Sequence, residues 1–509
     1  SDLFFSTLNY GETFGESSIN VFAGYSMEYN YYEELGAYRQ KYPVFTLPQI
    51  DVGTLEVSTN HGTASEWALM SYFGRFNYQF KDKYLAEINF RYDGSSRIDP
   101  EYRWGLFPSF SAGWRISNED FAKGAHWLDN LKLRASYGKL GNDQIGLYAY
   151  QDVLDLTNYS FGESSTFQSA YVTALTDKSL RWETTTIADI GLDFSMNKGL
   201  FSVVIDAYNK VTSDILYKQE IPASVGLEAP YVNYGSMQNI GLDLELGHRH
   251  SIGDLSWEVR GIFSTYKNEV TKLLSTNYPD IDDADPRIQM EGIPWDSYYL
   301  FEWIGVFQSE EEIASSPTQY YTPQVGDLKF KDQDGDGDVD ADDRIVVDGA
   351  YPDFIYSLNT YLKWKGFDLN LFLQGVQGRK IYADNWGMTP FTQAGPPPVK
   401  WRDRWTEDNP TNDMPALFTA DYLPNMGMKS TFYLQEASYF RIKTVNIGYT
   451  LPAKLISKLK IEKIRIYIAA DNLFTFTKYE GLDPERLGNN NYAQYPQVRV
   501  LSGGVNIDF

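Results

Sequence analysis

Apolar and polar side chains alternate in short segments along almost the whole chain. Tyr84, Ala86, Ile88, Phe90 and Tyr92 fall on one side of such a segment, and Leu85, Glu87, Asn89, Arg91 and Asp93 fall on the other. Successive side chains of a strand point to opposite faces, so each segment predicts a strand with one apolar and one largely polar side. Ile240, Leu242, Leu244 and Leu246 alternate with Gly241, Asp243, Glu245 and Gly247. Phe367, Leu369, Leu371 and Leu373 alternate with Asp368, Asn370, Phe372 and Gln374, and Ile464, Ile466 and Ile468 with Arg465, Tyr467 and Ala469. Fifteen segments qualify as strands, near 3–10, 17–29, 67–80, 84–93, 104–117, 129–140, 183–196, 200–209, 236–248, 255–269, 354–364, 367–377, 438–451, 464–474 and 498–509.

The connections between them alternate short and long. Lys81-Asp82-Lys83, Asn197-Lys198-Gly199, His248 to Asp254 and Lys365-Gly366 are short, whereas 30–66, 141–182, 210–235, 270–353 and 378–437 are long. A bilayer is crossed by about ten residues of tilted strand, and outer-membrane barrels join their strands by short periplasmic turns and long extracellular loops. The parity predicts an outer amino-terminus, a periplasmic carboxy-terminus, and an extracellular loop at 270–353. No run approaches the ~18 apolar residues of a spanning helix, so a membrane span here requires a closed barrel with no open sheet edge. A soluble sandwich or propeller also alternates. It packs its apolar faces on a second apolar layer and has no reason to alternate loop lengths, and the segments are not an exact internal repeat. The expected fold is all-β: a transmembrane antiparallel β-barrel occupying 1–509. An odd strand count does not suit a bacterial single-chain barrel, which points to strands upstream of this chain.

Composition adds to this picture. Aromatic residues make up 16%, with 39 Tyr, 30 Phe and 12 Trp, matching the aromatic girdles that barrels place at both membrane interfaces. The net charge of −24 argues against nucleic acid as a partner. The acid concentrates between Glu310 and Asp348. The absence of cysteine excludes disulfides and thiolate metal sites. Ser1-Asp2-Leu3-Phe4 is not the start of a signal peptide, and the expectation is a processed or truncated chain. No nucleophile elbow, phosphate loop or His-Glu-Xaa-Xaa-His helix occurs, and no enzymatic activity is expected.

One acidic stretch has metal-ligand spacing. Asp332, Asp334, Asp336, Asp338, Asp340 and Asp343 stand at positions 1, 3, 5, 7, 9 and 12 of a twelve-residue calcium loop over 332–343. Gly337 occupies the sharp turn, Asp338 would offer its backbone carbonyl, and Val339 stands where such loops pair with a neighbouring strand. The pattern predicts structural Ca2+, since so many carboxylates repel one another without a cation. The twelfth position is Asp rather than Glu and no flanking helices are evident; the alternative is a solvated acidic turn. Among the long-loop aromatics, Tyr320, Tyr321, Trp386 and Tyr492 are candidate sugar-stacking residues, with loop packing as the alternative. His248 and His250, flanking Arg249 in a short turn, read as surface residues.

Several stretches resemble the SusC/RagA family of TonB-dependent outer-membrane transporters. They are Trp104-Gly-Leu-Phe-Pro-Ser-Phe-Ser-Ala-Gly-Trp-Arg-Ile-Ser117, Leu128-Asp-Asn-Leu-Lys-Leu-Arg-Ala-Ser-Tyr-Gly138, Gly326-Asp-Leu-Lys-Phe-Lys-Asp332, Gly366-Phe-Asp-Leu369, Asp471-Asn-Leu-Phe-Thr-Phe476 with Asp483-Pro484-Glu485, and Tyr495-Pro-Gln-Val-Arg499. Trp401-Arg-Asp-Arg-Trp405 is similar to a structural loop feature of the same family. The resemblance implies a 22-stranded barrel with an amino-terminal plug. The plug, the TonB contact and about seven strands would lie outside this chain. It further implies a bacterial outer-membrane location, import of oligosaccharides or peptides, and a SusD-like surface lipoprotein as a hinged lid, in pairs that can dimerise. A passive porin is the alternative within the membrane. In that context Val505, Ile507 and Phe509, alternating with Gly504, Asn506 and Asp508, resemble the terminal strand signal read during outer-membrane assembly.

Overall fold

A computed structural model of the chain describes all residues except 45, 48, 161–165, 220, 277–284, 384–396, 398, 419–426, 457–460 and 486–496. Its main feature is a 15-stranded sheet. The strands are β1 (Asp2–Phe14), β2 (Ser17–Gln40), β3 (Thr54–Phe80), β4 (Tyr84–Ser95), β5 (Trp104–Arg115), β6 (Leu128–Asn142), β7 (Glu183–Met196), β8 (Phe201–Ser213), β9 (Gly235–Ile252), β10 (Leu255–Leu273), β11 (Phe354–Trp364), β12 (Phe367–Gln377), β13 (Tyr439–Thr450), β14 (Lys463–Thr477) and β15 (Val500–Asp508). They are hydrogen-bonded in chain order, as in an up-and-down wall. Each of the fifteen expected segments corresponds to one of these strands.

Short turns match their strands. Lys365 and Gly366 link β11 to β12 with φ of 46° and 90°, the left-handed pair that a two-residue hairpin needs to follow strand twist. Glycine is required at the second position on two counts, because a Cβ there would sit 2.9 Å from the Thr450 carbonyl oxygen.

Two expected connections are shorter than the sequence suggests. The loop over 30–66 is mostly strand. Pairing with β1 ends at Tyr29 and pairing with β4 ends at Leu69, yet β2 and β3 stay paired with each other as far as Gln40 and Thr54. Thr54, Val57, Thr59 and Thr63 favour extended backbone without the one-sided alternation that signals a strand in lipid. The turn over 248–254 is also largely strand, since β9 runs on to Ile252. His248 is half-buried there and its Nδ1 accepts the Trp257 indole N–H at 2.9 Å, while His250 is exposed.

The two faces of the wall differ in chemistry. Ile240, Leu242 and Leu246 on β9, Tyr84, Ile88, Phe90 and Tyr92 on β4, and Ile466 and Ile468 on β14 are exposed apolar side chains. The opposite face carries ionic networks. Arg465 on β14 donates to Asp368 on β12 at 2.5–3.2 Å and to Asn446 on β13 at 2.7 Å. Arg260 lies 3.4 Å from Glu245, and Arg75 donates to Asn89 at 2.7 Å. An apolar face turned outward with a charged face behind it suits lipid on one side and water on the other.

By internal contacts the chain divides into two units, Ser1–Asn118 with Arg134–Asp189 and Lys210–Ser236, and Glu119–Leu133 with Ile190–Asn209 and Met237–Phe509. The first has a small core of Ile98, Phe107, Ile145, Tyr150, Leu180 and Trp182 built mainly from its long connections. The second has a larger one, formed where the segments after β10 and β12 pack together. Tyr298, Leu300, Phe301, Leu328, Phe330, Val339, Tyr382, Trp401, Met428, Phe432 and Tyr433 are all buried there. Short strand pairs frame it: 297–301 with 344–347, 303–306 with 328–330, and 380–382 with 434–436.

Candidate functional site

The acidic loop reaches this second core through Val339. Val339, only 2% exposed, inserts among the aromatic residues. Its backbone N–H donates to the Thr318 carbonyl at 2.7 Å, and the Thr318 N–H donates to the Gly337 carbonyl at 2.9 Å. This is the strand-like pairing expected at the eighth position of the loop.

The carboxylates fold the loop by accepting backbone amides. Asp332 accepts from Gly335 at 2.6 Å and Gly337 at 3.0 Å, Asp334 from Asp336 at 3.1 Å, and Asp336 from Asp338 at 2.9 Å. Asp343, 1% exposed, accepts from Gln333 at 2.5 Å and Asp340 at 2.7 Å. Gly335 and Gly337 take φ of 78° and 100°, which other residues adopt only with strain. Ligand atoms of Asp332, Asp334 and Asp343 lie within 4.8 Å of one another. Asp336 and Asp338 stay on the loop without joining that group, and Asp340 caps the short turn Ala341–Asp343. The Asp336 amide pulls the Asp334 carboxyl down, but partial desolvation and the fields of Asp336, Asp343 and Asp332 outweigh it and hold the group above its ordinary value. Three converging carboxylates, one with an elevated proton affinity, are a donor set suited to a hard cation.

Of the loop aromatics, Tyr320 is exposed and meets Tyr321 edge-on at 4.9 Å. Tyr321 packs against the second core. Trp386 and Tyr492 lie outside the described residues. Trp401 is buried in the core, and Trp405 donates its indole N–H to Gln308 at 2.9 Å.

A second ionic centre has no periodic signature in the sequence. Arg441, 1% exposed on β13, donates to Asp483 at 2.9 Å, to Glu485 at 2.6 Å and to Thr475 at 2.8 Å. Lys443 reaches the other oxygen of Glu485 at 2.8 Å, and Arg379 donates to the Pro484 carbonyl at 3.0 Å. The Asp483-Pro484-Glu485 stretch is thus fastened to the wall.

Residues 1–473 match the family model described as TonB dependent receptor-like, beta-barrel. The chain belongs to that family. It is 28% identical over 530 residues to TonB-dependent receptor P3 of Formosa agariphila, covering 99% of this chain and 52% of that protein. It is 27% identical over 468 residues to TonB-dependent receptor SusC of Bacteroides thetaiotaomicron, covering 88% and 44%. The solved structure of the RagAB peptide transporter superposes with a TM-score of 0.84 at 26% identity, over 100% of this chain and 55% of that one. The chain therefore spans about half the length of the curated relatives it matches. It is a SusC/RagA-like TonB-dependent receptor barrel of the outer membrane.

Proposed function

We propose that this barrel forms the conduit of an outer-membrane importer that takes up oligosaccharides, energised through TonB and served by a SusD-like surface lipoprotein. The observation that carries the reading is the two-faced wall joined to a packed body of long connections, in a chain kin to SusC and RagA. The wall supplies a polar path through lipid, and the packed body supplies a surface on which a lid can close. The energy for movement comes from outside the chain. The family is one of transporters and receptors, and no catalytic group is assigned.

The test is uptake by cells that carry or lack the gene. Energy-dependent growth on a glycan that disappears with the gene, and co-purification of a surface lipoprotein, are the expected results. Uptake that persists after the proton-motive force is collapsed would instead identify a passive channel. A second reading, oligopeptide import, is favoured by the similarity to the RagAB peptide transporter; peptide uptake without glycan uptake would select it.

The acidic loop is proposed to hold Ca2+ through Asp332, Asp334 and Asp343, with Asp336, Asp338 and Asp340 completing the oxygen set after a small closure. Its role is structural, fixing the segment that Val339 pins to the core. Titration calorimetry with calcium reads this directly. Heat of binding that is lost in Asp334→Ala is expected, and no heat from the intact protein would exclude the site.

A further inference from the structure

A cleft of about 410 Å3 opens on the same packed body, lined by Trp303 and Phe432 together with charged side chains. Its size falls within the range of small-ligand sites, roughly 300–1,000 Å3. We propose that it is a sugar-binding subsite that takes one or two rings of a neutral oligosaccharide, with Trp303 as the stacking platform. This rests on the glycan reading above and adds the residues that would hold the cargo.

The aromatic wall is held in place before any ligand arrives. The Trp303 indole N–H donates to the Gly305 carbonyl at 2.7 Å, and its backbone N–H donates to Thr431 Oγ1 at 3.0 Å. Phe432 braces the ring edge-on at 5.2 Å and 76°. A ring fixed by both hydrogen bonding and packing loses little freedom on binding, which favours affinity. The apolar C–H face of a pyranose fits against such a ring.

The polar groups around it are mixed in sign. Asp403, Asp413, Glu436 and Glu480 stand with Lys400 and Lys478. Lys400 and Glu480 already pair at 3.2 Å. Asp403, Asp413 and Lys478 are exposed and line the cleft. Four carboxylates against two lysines make the lining net negative, which disfavours an anionic ligand. Neighbouring hydroxyl groups satisfy both, because each donates to a carboxylate and accepts from an ammonium group.

The experiment uses the transporter purified from outer membranes in detergent, probed on an array of neutral oligosaccharides beside an oligopeptide library. Wild type, Trp303→Ala, Asp413→Ala and Lys478→Ala are compared, with Lys267→Ala, an exposed residue of β10 outside the cleft lining, as the control. The expected result is glycan capture by wild type and the control, weakened at least about tenfold in Trp303→Ala and severalfold in the two exposed polar variants. The polar variants keep the test decisive if Trp303→Ala fails to fold. Glycan capture unchanged in all three cleft variants would overturn the subsite and leave the cargo reading standing. Capture of peptides alone, or of neither class, would overturn both.

Discussion

Nη2 of Arg441 reaches both carboxylate oxygens of Asp483 at 2.9 Å, with the two side chains 1% and 5% exposed. The pair joins strand β13 to a connection 42 residues further along the chain. Removing one member of a buried pair strands the other charge, at a cost of about 3–5 kcal/mol. Arg441→Met should lose that much in denaturant unfolding in lipid and should expose the 478–485 segment to protease. Arg441→Lys should not restore it, because an ammonium cannot reproduce the fork that serves Asp483, Glu485 and Thr475 together. A loss below about 1 kcal/mol, the range of surface pairs, would show that the pair is dispensable.

Leu242 is 40% exposed on the apolar face of β9. Leu242→Arg should cost roughly 2–4 kcal/mol near the bilayer midplane. The reading is made by unfolding in bilayers, and a negligible loss would mean that this face does not meet lipid.

The acidic loop carries a pH signature. The Asp334 carboxyl is held above its ordinary value by partial desolvation and by Asp336, Asp343 and Asp332, against the pull of the Asp336 amide. A raised folded-state value means that this group favours the folded loop below its ordinary value, and that the contribution is lost as pH rises through the raised one. Without metal, the loop should therefore resist protease better in mild acid than at neutral pH. Calcium should reverse the order, since it binds the deprotonated form. Glu302, lowered by Gln333 and Lys331, works in the opposite direction, so Asp334→Asn is the variant that isolates the effect. A loop whose protection ignores both pH and calcium would contradict the assignment.

Val505, Ile507 and Phe509 are exposed at the end of the chain, on and just past the terminal strand. If they form an assembly signal, deleting Phe509 should reduce the amount of heat-modifiable barrel in outer membranes. Unchanged surface levels would argue against that role.

The wall is legible in the sequence because lipid on one side and water on the other impose a strict two-residue period, visible within ten residues at β4, β9, β12 and β14. The extension of β2 and β3 beyond Tyr29 and Leu69 is not, because its side chains are mostly exposed on both faces and no one-sided constraint fixes a two-residue period. The calcium-type loop is legible as spacing, and Gly337 and Val339 occupy the places their chemistry requires. The packed core is not legible, since Phe301, Tyr382, Trp401 and Tyr433 meet across long sequence separations that leave no periodic trace. Arg441 reads like any polar residue on the inner face, and only the fold reveals that it meets the Asp483-Pro484-Glu485 stretch.

Eleven buried residues drawn from two connections give the second unit, among the described residues, a solid interior beyond its strands. Close-packed side chains resist piecemeal deformation and tend to shift together. Load applied to either connection is therefore shared by the other, and the Lys400–Glu480 pair passes it on to the segment after β14.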